Sequence, residues 1–376
     1  MYRAFARRIE PVTDRVPASA RQTAGRRVPE TIRNNHAPRR LGGRMERIRL
    51  GNTVFEGLNN AYLLPGDRPT LVDAGVATDS VRRDLREGLD AAGCGVADLD
   101  AIVLTHWHAD HAGLAGELQA ESGAPVYVHA DDAGIVAGDP DAVAAERSIR
   151  ERRFDEWRIP DEPLAEVTAF LDGHDDLRGD RVDVTPVEDG DRIAAGDGEL
   201  EVVHLPGHAA GLSAFAFDGE PGAGRQAFVG DAILPKYTPN VGGADLRVDR
   251  PLETYLDSLA RLAALDFERA WPGHRDPISD PAGRARVIAE HHRERTERVV
   301  SVLDDHGPAD AWTVSARLFG DLEAIHILHG PGEAFAHLDH LVAEGVVAPP
   351  DDGGRYELLD ADPDFDELVA VPETKR

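Results

Sequence analysis

From Met45 onward the chain alternates short apolar runs with turn-forming residues, and the runs have the length of strands. Ile48–Phe55, Asn60–Leu64 and Pro69–Val72 read as strands; Glu56-Gly57 parts the first two, and the third ends at Asp73-Ala74-Gly75. Ser80–Ala92 puts Leu85 and Leu89 on one face and reads as a helix capped by Asp79 or Ser80. Ala101–Leu104 predicts a buried strand, Ala112–Glu121 a helix and Val126–His129 another strand. Val182–Val187, Arg192–Ile193, Leu200–His204, Ala214–Phe217, Gln226–Val229 and Arg269–Trp271 continue the strands, with a helix over Glu253–Leu265.

Two regions depart from this rhythm. Residues 134–180 are charged, with helical patches over Val143–Trp157 and Pro163–Leu171 divided by Pro160. They predict an insertion packed over the sheet, whose Phe154, Trp157, Leu164, Phe170 and Leu171 form a lid, line a pocket, or simply fasten the insertion to the sheet. Asp280-Pro281 then reads as a helix start with proline at the first helical position, the helix running to about Asp305. Thr313–Leu318 and Glu333–Glu344 predict two more helices, and Val346–Leu358 two strands around Asp351–Gly354. The organisation expected is a leader (1–44), a main domain (45–279), a winged-helix-like domain (280–362) and a tail (363–376).

Charge sets the leader apart. Residues 1–44 hold 11 Arg against 3 acids, leaving 30 basic and 66 acidic residues, a net of −36, in the rest. The leader has no sustained apolar period, and neither Arg7-Arg8 nor Arg26-Arg27 precedes the apolar run of an export signal. It reads as disordered or as an over-extended start, Met45 being the only other methionine. Lysine occurs twice among the 41 basic residues. So acidic and lysine-poor a surface suits a halophile, because molar salt screens self-repulsion over about 3 Å. No run approaches the roughly 18 apolar residues of a membrane helix, so a cytoplasmic protein is expected. The lone Cys94, in Ala-Ala-Gly-Cys-Gly-Val, reads as a small apolar filler.

The candidate chemistry begins at Thr105-His106-Trp107-His108-Ala109-Asp110-His111, directly after an apolar strand. Alternate side chains at a strand end face one side, so His106 and His108 can converge on one ion. The turn into the next helix lets Asp110 and His111 face a neighbouring ion. Three more candidates follow strands, each after a glycine that permits a sharp turn: His208 in Leu-Pro-Gly-His, Asp231 in Gly-Asp, and His274 in Trp-Pro-Gly-His. Imidazole and carboxylate suit zinc, and also iron or manganese. The other histidines, among them His129, His174, His326 and His329, match no motif and read as core or surface residues; His204 reads as structural.

These motifs, in this order over about Met45–Asp276, resemble the metallo-β-lactamase superfamily. The resemblance implies an α/β fold, the αββα sandwich, with metals at one edge of two packed sheets. It implies that His106, His108 and His208 hold a first ion, Asp110, His111 and His274 a second, and that Asp231 bridges both. Two ions about 3.5–4 Å apart lower the pKa of a bridging water toward ~7, and the hydroxide attacks a carbonyl or phosphoryl centre. Asp110 is further implied as orienter and proton carrier.

The metal loop resembles that of glyoxalase II, whose C-terminal segment is not recognisable here. True β-lactamases commonly carry Cys where Asp231 stands, flavodiiron proteins carry Glu where His108 stands, and quorum-quenching lactonases carry a Tyr nearer the bridging Asp than Tyr237. The tail resembles that of β-lactamase-like proteins with a winged-helix domain, a group that includes single-stranded RNA endonucleases. Arg293, Arg295 and Arg298 are candidate RNA contacts, or a solvated face paired with Glu290, Glu294 and Glu297.

The leading expectation is a binuclear zinc hydrolase of an ester, thioester or lactone-like bond in a small metabolite. The second is a phosphodiesterase on single-stranded RNA, which the acidic chain would repel unless salt screens it. A mononuclear-iron persulfide dioxygenase, which uses fewer ligands, is the third. The charge balance gives a first test. The melting temperature in sodium chloride is expected to rise from tenths molar to molar; a flat or falling curve contradicts the salt-adapted surface.

Overall fold

The structure, a computed structural model, describes residues 45–52, 57–220 and 222–372. The leader 1–44, Lys375 and part of the first expected strand lie outside these residues. A six-stranded sheet runs in sequence order: β1 (Glu46–Arg49), β2 (Asn60–Leu64), β3 (Thr70–Val72), β4 (Ala101–Val103), β5 (Val126–His129) and β6 (Val184–Val187). β1–β3 pair antiparallel and β3–β6 parallel. A five-stranded sheet follows, made of β7 (Arg192–Ala195), β8 (Gly198–His204), β9 (Ser213–Asp218), β10 (Arg225–Gly230) and β11 (Arg269–Pro272). Its order is 11-10-9-8-7, with only β10 and β11 parallel.

The strands read as continuous apolar runs because both faces of both sheets are covered. In β2, Tyr62 and Leu64 face the second sheet, where they meet Phe215 and Phe228, while Ala61 and Leu63 face helices. In β9, Phe215 and Phe217 point between the sheets, and Ala214 and Ala216 point outward. On the first sheet's outer face lie α1 (Asp79–Ala91), α2 (Ala109–Ala112), α3 (Ala115–Ser122) and α4 (Ala130–Val136), with Val81, Leu85 and Leu89 of α1 buried. The α1 cap is Thr78, not Asp79 or Ser80: its hydroxyl accepts from the Val81 amide at 3.4 Å. The expected helix over 112–121 is two helices, and the first carries Asp110 and His111.

The insertion forms α5 (Pro140–Glu156) and α6 (Asp161–Asp172). The second sheet is backed by α7 (Pro251–Ala264) and the first half of α8 (Pro281–His306). Then come α9 (Ala311–Phe319), α10 (His326–Ala343) and the short α11 (Phe365–Leu368). The second half of α8 leaves the sandwich core and joins another cluster, with Val299, Val300 and Leu303 beside α9 and α10.

Three expectations change here. The insertion packs on the C-terminal helices, not over the sheet: Phe154, Trp157, Ile159 and Val167 share the cluster of Phe335 and Leu338. Trp157 is 1% exposed, its ring centroid 5.8 Å from that of Phe335, so it is core and not a lid. The expected hairpin at 346–358 forms without regular strands: it has the bridge Val347–Leu358, the Ala348 and Leu359 amides donate to the Glu357 and Val346 carbonyls at 2.9 Å, and Tyr356 bridges to Ala309. Helix α10 begins seven residues before Glu333, with Pro331 inside it. Gly332 is required by space: a Cβ there would meet Gly243 Cα at 2.3 Å, so the helix is set backbone to backbone against a loop.

Truncating Trp157 tests its reassignment. Trp157→Ala is expected to cost about 3–5 kcal/mol in urea unfolding and to leave bound metal unchanged; an undiminished unfolding midpoint would return Trp157 to the surface.

Candidate metal centre

All seven sequence-assigned residues converge at one edge of the sandwich, and five of them lie at ends of strands or in the turns that follow. His106 and His108 follow β4, His208 follows β8, Asp231 follows β10 and His274 follows β11, while Asp110 and His111 ride the single turn α2. Gly230 takes φ +49, a left-handed conformation that turns the chain sharply into Asp231. Gly273 is required by space, since a Cβ would stand 2.4 Å from His111 and 2.5 Å from Asp231.

The second nitrogen of each histidine determines what the first can do. His108 Nε2 lies 3.0 Å from the Ala244 carbonyl, which can only accept, so Nε2 carries the proton and Nδ1 is bare. The Asn240 carbonyl takes His208 Nδ1–H at 2.9 Å, and the Gly57 carbonyl takes His274 Nδ1–H at 2.8 Å. Asp73 accepts from His111 Nδ1 at 2.9 Å. It also accepts from the Thr105 hydroxyl at 2.9 Å, leaving that oxygen to accept from His106 Nδ1 at 3.0 Å. One ring nitrogen of each of the five histidines therefore remains to face the centre.

Their arrangement fits cations. His106 Nε2 and His208 Nε2 lie 2.9 and 3.1 Å from His108 Nδ1. Three lone pairs so close repel one another unless a positive charge sits between them. Tetrahedral zinc with Zn–N of about 2.0–2.1 Å sets neighbouring nitrogens about 3.3 Å apart. Beside this triad, Asp110 Oδ2 lies 3.5 Å from His274 Nε2 and 3.9 Å from His111 Nε2. Asp231 reaches both groups, 3.3 Å from His274 Nε2 and 3.7 Å from each of His111 and His208 Nε2. His111 Nε2, His274 Nε2 and Asp231 Oδ1 are buried with no hydrogen-bond partner, which is costly unless a ligand completes them.

Electrostatics agree with that division. Burial, then His111, depresses His106, and burial, then His208, brings His108 down to about 4. Burial works against the charges of His111 and His274 but is outweighed by Asp231 and Asp110, so His111 is raised and His274 reaches about 9. Burial also opposes Asp231, whose carboxyl is nonetheless held well down by His274 and His111. Without metal, protons on the second group stand in for a cation.

The supporting residues escaped the sequence reading. Asp73 is the carboxylate of the Asp-Ala-Gly turn after β3, and its place at the end of a buried strand was its one signal. Asn59 donates to the Asp110 carboxylate at 3.2 Å. Asp132, Asp245 and Arg247 form a buried group under the metal loop: Arg247 reaches both carboxylates at 2.6 Å, while Trp107 donates its amide to Asp132 and its indole N–H to Asp245. Burial is the largest influence on Asp132 and raises its pKa, despite Arg247.

Of the remaining histidines, His204 stacks on His129 at 3.8 Å and bonds the Ala210 carbonyl, and with Asp131 the two form a separate group of potential ligands. His174, His326 and His329, expected to be bland, instead line a cavity of about 730 Å³ that opens from the candidate ligands His108, Asp110, His208, Asp231 and His274. Phe170 and Leu171 line it too; Phe154, Trp157 and Leu164 do not. Cys94 is buried, as a filler should be.

The sequence model described as the metallo-beta-lactamase superfamily matches residues 54–274. The probable metallo-hydrolase YqjP of Bacillus subtilis (strain 168) is 28% identical over 291 residues, 76% of this chain and 88% of that protein. The thioesterase pkgB of Emericella nidulans is 23% identical over 286 residues, 76% of this chain and 64% of its own. A crystal structure of a metallo-beta-lactamase family protein from Thermus thermophilus aligns with a TM-score of 0.69 and 31% identity, covering 84% of this chain and 98% of that one.

Two measurements test the geometry. Asp73→Asn keeps an acceptor but loses the charge behind His111 and Thr105; metal affinity is expected to fall about 10–100-fold, and an unchanged affinity would remove Asp73 from the centre. Metal uptake at pH 7 must expel the His274 proton, so calorimetry in buffers of different ionisation enthalpy should show proton release, with affinity rising from pH 6 to 9. Uptake that releases no proton contradicts the protonated metal-free site.

Proposed function

Because the chain belongs to the metallo-β-lactamase superfamily and is accordingly a metal-dependent hydrolase, we propose that it holds two zinc ions and cleaves an ester, thioester or lactone-like bond of a small metabolite. The observation carrying this reading is the set of five inward-facing imidazole nitrogens, in two groups that share Asp231. His106, His108 and His208 would hold one ion; Asp110, His111 and His274 the other. Such a pair supplies Lewis acidity and makes a water acidic enough to act as nucleophile near neutral pH.

The chain's own groups supply the rest. Asp110 stays ionised because His111 and His274 outweigh the effect of burial, and Asn59 fixes its carboxylate. It can therefore orient the attacking water and accept its proton. The water oxygen bonds to the acyl carbon, the C–S or C–O bond breaks, and the proton ends on the departing thiol or alcohol. No serine or cysteine nucleophile is required.

The thioester form draws support from the relative named a thioesterase. A small substrate is favoured over RNA by what the arginines do. Arg293 pairs with Glu290 and, at 2.6 Å, with Glu297; Arg295 is buried and pairs with Glu333; Arg298 donates to the Leu318 carbonyl. None of these makes the open cationic track that single strands need. We read α8–α10 and the turn after them as a winged-helix-like unit used here as a cavity wall. The lack of any helix long and apolar enough to cross a membrane among the described residues, with the acidic, lysine-poor composition, fits a cytoplasm rich in salt.

The deciding experiment offers zinc-replete protein thioesters, esters, lactones and single-stranded RNA. Turnover of at least one acyl substrate is expected, lost on chelation and regained on adding zinc. RNA cleavage with no acyl turnover would invert the assignment.

A further inference from the structure

The cavity is far larger than a water and a scissile bond require, and its far side is unlike its metal side. Beyond His108, Asp231 and His274, six apolar side chains from two separate parts of the chain line it, interspersed with His174, His326 and His329. Phe170 and Leu171 arrive on α6; Phe319, Leu322, Ile325 and Leu328 arrive on α9, α10 and the turn between them. Leu171, Phe319, Leu322 and Ile325 are only partly buried, with one side packed into the C-terminal cluster.

The wall is preformed. The Ala324 amide donates to the Glu166 carboxylate at 2.7 Å, tying the α9–α10 turn to α6. Gly332 and Gly243 hold α10 against the loop whose Asn240 and Ala244 carbonyls orient His208 and His108. The apolar wall and the metal ligands are thus joined through a single loop.

Most of its charged side chains are already engaged, Arg178 lying over the Trp107 ring with 5.3 Å to its centroid. Arg150 lies 3.0 Å from Glu146, and Glu333 lies 2.6 Å from Arg295. Asp172 and Asp321 stand at the rim, where they oppose an incoming anion. A carboxylate or phosphate at the far end would meet matched pairs and acids, whereas a hydrocarbon would replace water against six apolar side chains.

We infer that the substrate carries an apolar acyl group, alkyl or aryl and longer than acetyl, seated between α6 and the α9–α10 turn with its carbonyl toward the metal centre. This rests on the acyl-hydrolase reading above. A buried methylene contributes about 0.8 kcal/mol, about fourfold in kcat/KM at most, until the wall is filled.

The test uses the full zinc-loaded chain and N-acetylcysteamine thioesters, whose leaving thiol is uncharged, with acetyl, butyryl and hexanoyl groups. The kcat/KM is expected to rise at least tenfold from acetyl to hexanoyl. Leu322→Trp, which fills the wall, should lower the hexanoyl-to-acetyl ratio at least tenfold; Phe170→Ala serves if that variant does not fold, and should lower the ratio about threefold or more. Val287→Ala, on the exposed face of α8, should leave the ratio unchanged. A second arm measures calorimetric binding of the matching amides, which cannot turn over readily. Amide affinity that climbs with chain length and collapses in Leu322→Trp, without thioester turnover, would sustain the pocket and overturn the hydrolase. Turnover with a flat chain-length profile, or a ratio unmoved by both wall variants, would overturn the pocket alone.

Discussion

Five imidazoles and two carboxylates are buried within a few ångström of one another, and the rest of the architecture follows from what that requires. Bare ring nitrogens at 2.9–3.1 Å repel, and buried carboxylates cost more than any hydrocarbon. A chain can keep such a cluster only if a cation completes it and every other polar atom is already satisfied. Each histidine is accordingly tied by its second nitrogen to Thr105, Ala244, Asp73, Asn240 or Gly57. Those ties fix the tautomer as well as the angle of each ring.

The sandwich delivers the ligands because its strands end together. Tyr62, Phe215 and Phe228 lock the two sheets face to face, and the Tyr62 hydroxyl donates to the Pro272 carbonyl at 2.6 Å, two residues before His274. Asn60 secures the same turn through the Pro272 and Arg275 carbonyls. The insertion and the C-terminal helices then pack on each other at the open side. Helix α8 joins both bodies, with Ala285 and Ile288 in the sandwich core and Val299 and Leu303 in the outer cluster. The resulting wall turns an exposed metal edge into a cavity.

The seven candidate ligands were legible in the sequence because five combine a metal-binding side chain with a strand end or a preceding glycine, and Asp110 and His111 follow His106 and His108 within one short segment, all local signals. Nearly all strands were legible too, since double-sided burial leaves unbroken apolar runs such as Asn60–Leu64 and Val126–His129. What was not legible is long-range. A carbonyl such as that of Ala244 has no residue signature, so the partners of His108 and His208 cannot be read from type or spacing. The apolar positions of 143–171 announce two helices but not which surface they cover, and Trp157 therefore looked like a lid when it is core. The hairpin expected at 346–358 is present only as a loose turn, because Tyr356 pairs with Ala309 while its neighbours bond across the turn. His329 looked bland because nothing near it in sequence signals that α10 faces the metals.

The shared carboxylate is where the account is most exposed, since a single residue is asked to serve both groups. Elemental analysis of metal-replete, exhaustively dialysed protein and of Asp231→Ala tests it directly. The account predicts two transition-metal equivalents per chain in the parent and the loss of at least one in the variant, with the remainder held more weakly. One equivalent or fewer in the parent, or two tightly held ions in Asp231→Ala, would contradict it.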